Sequence, residues 1–386
     1  MNLIDRKAYI SSDISVGYSE IKNFPFKALE VVDETDIAKL LGALSAFLTG
    51  IRSFSLVITR SDIDLDIASF RCQPGSITVF SSGTTGTPKP KTIPFDSLVA
   101  RISSKIDEGE VIASGYDLTK FSGLQTILAC LKNSATYIDV GMRFDVLSKV
   151  HVNRIVGTPS WCNYLAMNLA NTKPETCDLV HSITLGGEAA DLRTLKILKS
   201  IFRNAQINQI YASTEAGVLF NVKDELPGLS INSALRFSAD RRISWSEDLT
   251  HLPIGGYVEL MFFDPLSGEE TRSGDIFEKQ SGRLVFYGRN NDCVSVGGQN
   301  VSLIVLENFV NAYENVVACR ALAKKNSMMG HVLTLEIKLK DGVDLREIKR
   351  SLLHDIKDSL GKAYFPAGIV EVSVIKLNSN GKVVRL

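Results

Sequence analysis

The stretch SITVFSSGTTGTPKPKTIPF, residues 76–95, decides the reading. Its first half, SITVFSS, is an apolar run with strand character. It opens into Ser81–Lys89, a loop made of hydroxyls and glycines and closed by a lysine. A loop that cradles phosphate needs backbone N–H groups that can approach oxygen closely, which favours glycine. Hydroxyls add donors, and a lysine adds a point charge. Ser81, Ser82, Gly83, Thr84, Thr85, Gly86 and Lys89 supply all three. The Walker A pattern is excluded, because it needs glycine five residues after Gly83 and Pro88 stands there; no G-x-G-x-x-G follows either. The plain alternative is a Gly/Ser/Thr surface turn.

Outward from this loop, short apolar runs alternate with helical patterns. SFSLVITR (53–60) reads as a strand. IAKLLGALSAFLTGI (37–51) is too short to span a bilayer and contains Lys39, so it reads as a buried helix. LQTILACLKNSATYIDV (124–140) reads as helix, turn and strand. VNRIVGTPS (152–160) and VHSITLGG (180–187) are strands running into glycine turns, and RTLKILKSIF (193–202) has helical spacing. This repetition predicts an α/β fold with a mostly parallel sheet. After about residue 250, GGYVELMFFD, SGDIFEK and GRLVFYGR read as hairpin-connected strands, a β-rich subdomain. The expected division is a large N-terminal domain, 1–290, and a small mobile α+β domain, 291–386. In the latter, HVLTLEIKLK (331–340) alternates with a period of two. DLREIKRSLLHDIKDSL (344–360) sets Leu345, Ile348, Leu352, Ile356 and Leu360 on one helical stripe, behind a capping box of Asp344 and Glu347. GIVEVSVIKL (368–377) is a further strand.

At 386 residues the chain exceeds what one core usually holds. Lys+Arg and Asp+Glu are both 43, which argues against a nucleic-acid partner bound through bulk positive charge. Cys72, Cys130, Cys162, Cys177, Cys293 and Cys319 are scattered with no C-x-x-C, so neither a disulfide framework nor a zinc site is expected. Free thiols suit a reducing cytoplasm. MNLIDRKAYISSD carries charges and no apolar core, so it does not read as a secretory signal, and no membrane segment is expected. DIDLD (62–66) begins like a calcium loop but has Ile67 and Gln73 where glycine and glutamate belong, so it reads as a solvated strand face. Met328 and Met329 read as a turn or packing element.

SSGTTGTPK resembles the phosphate-loop signature of the AMP-forming adenylating enzymes, the superfamily of acyl-CoA synthetases, peptide-synthetase adenylation domains and luciferases. Further segments follow in the family's order. TLGGEAADL (184–192) is similar to the glycine turn facing adenine, and YASTEAG (211–217) to the Y-G-x-T-E segment. SGDIF (273–277) is similar to the T-G-D segment. GRNNDCVSVGGQNVSLIVLEN (288–308) resembles the hinge motif, and NSNGKVVR (378–385) the terminal loop with its lysine.

The resemblance implies a reaction and a set of roles. MgATP is held while a carboxylate oxygen attacks the α-phosphorus; pyrophosphate leaves and an acyl-adenylate remains, so positioning and electrostatics carry the catalysis. Ser81 to Gly86 and Lys89 would embrace the β/γ-phosphates. Gly187, Glu188 and Ala189 would wall the adenine slot, and Tyr211 would lie on the purine face, with Ala212 and Ser213 beside it. Thr214 would contact the α-phosphate and Glu215 would ligate Mg2+. Asp275 would accept both ribose hydroxyls, Arg289 would reach the nucleotide, and Lys382 would place its ammonium between the carboxylate and the α-phosphate. After a rotation about Asn291, the face carrying Gly297 and Gly298 would line a channel for a thiol, either CoA or the phosphopantetheine of a separate carrier protein.

The chain also departs from the family. The phosphate loop normally lies much deeper in the sequence, so the N-terminal subdomain is expected to be reduced, with a homodimer as one compensation. Pro90 stands where glycine commonly follows Lys89, Asn291 replaces the usual pivot aspartate or lysine, and Val305 replaces the first of two glutamates, Glu307 matching the second. The acid should meet 116–125, 157–161, 185–186 and the segment 211–217. Tyr116, Phe121 and Trp161 favour an apolar or aromatic acid, though Phe121 and Trp161 read equally well as core. No clearly placed acid answers an amino acid's ammonium. With no carrier domain after Lys382, the acceptor is expected on CoA or a separate protein. An amine or alcohol acceptor, or a degenerate nucleotide-binding protein without catalysis, are the competing readings.

Overall fold

The computed structural model describes residues 7–375 except 12, 22–24, 61, 62, 64–72, 82–88, 101, 103–105, 142, 149, 173, 214–216, 241, 242, 264–267 and 290–292. They fall into two compact units, one within Met1–Gly186 and Leu198–Ile207, the other within Gly187–Ile197 and Asn208–Asn378. The fold is α/β. Most of DIDLD lies outside the described residues.

In the first unit the parallel strands divide between two sheets, a partition that alternating strand and helix patterns do not reveal. One has the order Leu29–Asp33, Ser55–Thr59, Ser76–Ser81, Lys89–Pro94; the first three run parallel and the last antiparallel. The other has the order Ser182–Gly186, Arg154–Gly157, Val111–Ser114, Thr136–Asp139, Lys7–Ile10, parallel throughout, then Ser15–Gly17 antiparallel at the edge. Strands buried on both faces explain their unbroken apolar runs. Helix Ile37–Leu48 starts at Asp36, whose carboxylate accepts Lys39 N at 3.1 Å, and buries eight of its residues. Lys39 pairs with the buried Glu30, so this charge inside an apolar run is neutralised within the fold. Phe47, Phe54 and Phe95 stack at its end, at 4.3 and 4.8 Å.

In the second unit, an antiparallel sheet has the order Leu229–Ser230, Arg283–Arg289, Glu270–Gln280, Tyr257–Phe263, Ile243–Trp245. These are the hairpin-connected strands the sequence predicts. The C-terminal sheet has the order Gln299–Ser302, Cys293–Val296, Gly330–Leu339, Val316–Asn326, with Gly368–Glu371 parallel to Gly330–Leu339. Leu333, Leu335, Ile337 and Leu339 point into the core, as their alternation requires, and Leu352 and Ile356 of helix Leu345–Leu360 belong to the same core. The helix cap differs in detail from a capping box: Asp344 accepts Arg346 N at 2.8 Å and its carboxylate also holds the Arg346 guanidinium. Arg193, in helix Leu192–Ile201, donates to the carbonyls of Asn311 and Val316, at the end of helix Leu303–Asn311 and the start of the strand after it.

Candidate active site

The strands on either side of the hydroxyl-rich stretch form a β-hairpin. Ser76–Ser81 and Lys89–Pro94 pair antiparallel, with Ser81 opposite Lys89, and Thr78 and Thr92 hydroxyls meet at 2.8 Å below it. The backbones of Ser81 and Lys89 therefore sit side by side at its two ends. Ser82, Gly83, Thr84, Thr85 and Gly86 lie outside the described residues, as do Thr214, Glu215, Asn291 and Lys382.

The residues expected to wall adenine follow directly where Ser182–Gly186 ends. Gly187 has φ +84°, the left-handed region that only glycine enters freely, and it turns the chain so that Glu188 and Ala189 follow outside the strand. Asp191 then accepts Thr194 N at 2.6 Å and starts the next helix.

Three predicted residues come together in the second unit. Tyr211 lies in strand Gln206–Ser213, Asp275 in Glu270–Gln280 and Arg289 in Arg283–Arg289. Asp275 and Arg289 are direct cross-strand partners. Asp275 is 4 % exposed. Its Oδ1 accepts from Arg289 Nε at 2.7 Å, and its Oδ2 accepts from the Tyr211 hydroxyl. The Tyr211 phenol is pushed up from its ordinary range, first by burial and then by the Asp275 charge, so it is a firm donor at neutral pH. Both carboxylate oxygens are thus presented through strong donors, and a ribose diol binding here would compete with them. Gly274, at φ +75°, sits at the irregularity in its strand just before Asp275, and its N–H donates to Glu259 Oε1 at 3.1 Å. Ser273 Oγ accepts from Asp275 N at 3.0 Å and donates to Leu260 O at 2.6 Å.

Sequence reasoning misses Glu259 and Phe220. Phe220 sits opposite Tyr211 across the hairpin, the rings 4.8 Å apart and 6° from parallel. Only strand register, which no single stretch of sequence prints, could have paired them. A bulge follows at once: Ala212 pairs with Val218, skipping Leu219.

Apart from the segment 211–217, the predicted acid-lining residues lie in the first unit and divide by role. Trp161 is 1 % exposed and donates its indole N–H to Gly141 O. A Cβ built on Gly115 or Gly157 would overlap its ring, so Trp161 is core. Phe121 packs against the core edge. The Tyr116 hydroxyl lies 3.0 Å from Gly157 O and 3.1 Å from Gly186 O, tying two strand ends. Asp117 accepts from Thr119 N and Oγ1 at 2.9 and 2.7 Å, and its other oxygen lies 3.8 Å from Arg60. Gln125 Nε2 is buried and has no hydrogen-bond partner among the described residues.

Gly297 and Gly298 have φ +57° and +83° and form the two-residue turn between Cys293–Val296 and Gln299–Ser302. A tight hairpin turn of this kind favours glycine irrespective of any ligand. Met328 and Met329 sit in the adjacent turn, both N–H groups bonded to Asn326 Oδ1. Glu307 is buried and accepts Ala321 N at 2.9 Å. Among the described residues no three His, Cys, Asp or Glu side chains gather as a metal site.

Residues 74–243 match the family model described as AMP-binding enzyme. That stretch of the chain is similar to an AMP-binding enzyme. The match takes in the Ser81–Lys89 hairpin, the Gly187 turn, Tyr211 and Phe220 and stops short of Asp275 and Arg289. A D-alanine–D-alanyl carrier protein ligase of Lactococcus lactis is 25 % identical over 349 residues, covering 80 % of this chain and 68 % of that one. Among solved structures, a benzoate CoA ligase of Burkholderia xenovorans matches with a TM-score of 0.70 at 17 % identity, over 98 % of this chain and 96 % of that one. ATP-bound MatB of Rhodopseudomonas palustris matches with a TM-score of 0.68 at 15 % identity, over 99 % and 95 %. The α/β fold is that of these enzymes. No helix among the described residues is long and apolar enough to cross a membrane.

Proposed function

We propose that this chain is an AMP-forming acid–thiol ligase. The carboxylate oxygen of an acid attacks the α-phosphorus of ATP, the bond to pyrophosphate breaks, and an acyl-adenylate forms. A thiolate of CoA or of a carrier protein then attacks the acyl carbon and AMP leaves. The observation that carries this reading is the Tyr211–Asp275–Arg289 cluster, on and just beyond the stretch similar to an AMP-binding enzyme. It offers a flat aromatic ring beside a buried carboxylate, as a base and its ribose require. Mg2+, with Glu215 as its ligand, belongs to the same reading, as do phosphate contacts by Ser81 to Lys89, transfer assisted by Lys382, and separate domains at 1–290 and 291–386.

A second reading concerns the acid. Trp161 is buried and the Tyr116 hydroxyl is committed to two carbonyls, which removes most of the case for an aromatic substrate. Asp117 supplies the carboxylate that an ammonium-bearing acid needs, its side chain 12 % exposed, with one oxygen bonded to Thr119 and the other 3.8 Å from Arg60. An acid of that kind is what the Lactococcus relative's name specifies.

ATP–pyrophosphate exchange against aryl, fatty and amino acids, D-alanine included, tests both readings. Exchange with one class names the substrate, and mass spectrometry after adding CoA or a holo-carrier protein names the acceptor. Folded protein that exchanges with none of them would overturn the ligase reading.

A further inference from the structure

We propose that Phe220 is the positioning residue of the base site: it fixes the plane of Tyr211 so that one phenol face is left for a purine. The inference rests on the reading that Tyr211 faces the base of ATP. Phe220 does not itself reach the nucleotide; it acts through the ring it covers.

The phenol is held on three sides. Its face lies on Phe220, which is 6 % exposed. Its edge meets Phe277 at 6.0 Å and 59°. Its hydroxyl is bonded to Asp275. Phe220 is backed in turn by Phe237, 6.0 Å away at 28°, and the Arg236 guanidinium lies 5.2 Å over that ring. A base on the exposed side of Tyr211 would be the fourth ring of an ordered pile. Two χ angles place a tyrosine ring; the hydroxyl tether fixes the swing of its axis, and only a flat neighbour fixes rotation about that axis. Stacking energy depends on that rotation, because offset-parallel rings attract best. Removing the flat neighbour should therefore weaken binding of a large base more than of a small one, while phosphate and ribose contacts stay as they are.

The test is ATP and CTP binding by calorimetry for the full chain and four variants. Phe220→Met keeps the volume and gives up the ring, Phe220→Leu is its independent repeat, Phe220→Tyr restores the ring, and Tyr211→Leu tests the underlying reading. The expected result is about three- to tenfold weaker ATP binding in Phe220→Met and Phe220→Leu, CTP changed by less than about twofold, recovery in Phe220→Tyr, and a larger ATP loss in Tyr211→Leu, since a base stacked on an aromatic ring contributes on the order of a tenfold factor or more. If Tyr211→Leu loses ATP affinity while folded Phe220→Met does not, the positioning role is wrong and the base site stands. Equal losses for ATP and CTP would reduce Phe220 to a core residue and also overturn the proposal. If Tyr211→Leu binds ATP normally, the reading of Tyr211 itself fails.

Discussion

Replacing Gly115 with alanine adds one methyl group at a place where the structure leaves no room for it. The new Cβ falls inside contact distance of three atoms of the Trp161 ring; at Gly157 it meets the same indole, with one atom badly placed and two at the margin. Neither glycine has a positive φ, so the backbone itself tolerates alanine, and reduced freedom of the unfolded chain returns about 0.4–1 kcal/mol. Overpacking a tight core costs about 1–3 kcal/mol. The indole cannot swing aside cheaply, because it is buried and its N–H is bonded to Gly141 O. The clash wins, and the expected net loss is about 1–2 kcal/mol for Gly157→Ala and somewhat more for Gly115→Ala. Urea unfolding followed by tryptophan fluorescence reads this out. Trp161→Phe, which shortens the ring, should recover much of the loss in the Gly157→Ala background although it is destabilising alone. Full stability in Gly115→Ala, or strictly additive losses in the double variant, would refute the wedge and reopen Trp161 as a substrate contact.

Asp275→Asn should raise KM for ATP in pyrophosphate exchange by about tenfold or more, because a charge-assisted acceptor of two donors becomes a neutral group with one acceptor; an unchanged KM would remove the ribose from this site. Asp139, whose Oδ2 accepts the Tyr9 hydroxyl at 3.0 Å, has its carboxyl pushed up to about 6, chiefly by burial. A raised carboxyl favours the protonated native state, so its contribution is fully present below the unfolded range near 4 and is lost as pH rises through 6. Asp139→Asn should therefore be more stable than the parent by up to about 3 kcal/mol at pH 8 and no better at pH 4, as pH-resolved urea melts would reveal. Arg193→Ala should free the carbonyls of Asn311 and Val316, raising amide exchange in Leu303–Asn311 and Val316–Asn326 by an order of magnitude, and Arg193→Lys should not restore it, since a point charge cannot span two carbonyls.

What the sequence makes legible follows its periods. Alternation puts Leu333 to Leu339 inward, helical spacing finds Leu352 and Ile356, and the apolar run at 37–51 becomes a buried helix ending at Leu48. Ordered motifs bring Asp275 and Arg289 into one cluster with Tyr211, although 64 residues separate Tyr211 from Asp275. Register is not legible in the same way. Nothing in GVLFNV says that Phe220 will lie under Tyr211, nor in VNRIVGTPSW that two small residues on separate strands will clamp Trp161. Roles that depend on burial are hidden likewise. Tyr116 and Trp161 look like pocket residues by type, and only their bonds to backbone carbonyls assign them to structure. The division of the parallel strands into two sheets escapes for the same reason, because each strand prints its pattern but not its neighbour.

The hairpin of Ser76–Ser81 and Lys89–Pro94 also has a grammar of its own. Its side chains can vary one by one, but its return strand must keep step. Ile93 is buried opposite Ile77, two pleats from the Ser81–Lys89 pair. A shift of that strand by one residue would turn Ile93 to the opposite face and bring a different residue across from Ser81. Single-residue deletions between Pro90 and Pro94 should therefore behave as loss of the loop, whereas conservative replacements there should pass unnoticed. For a gene under mutation, this segment reads less like a set of contacts than like a reading frame.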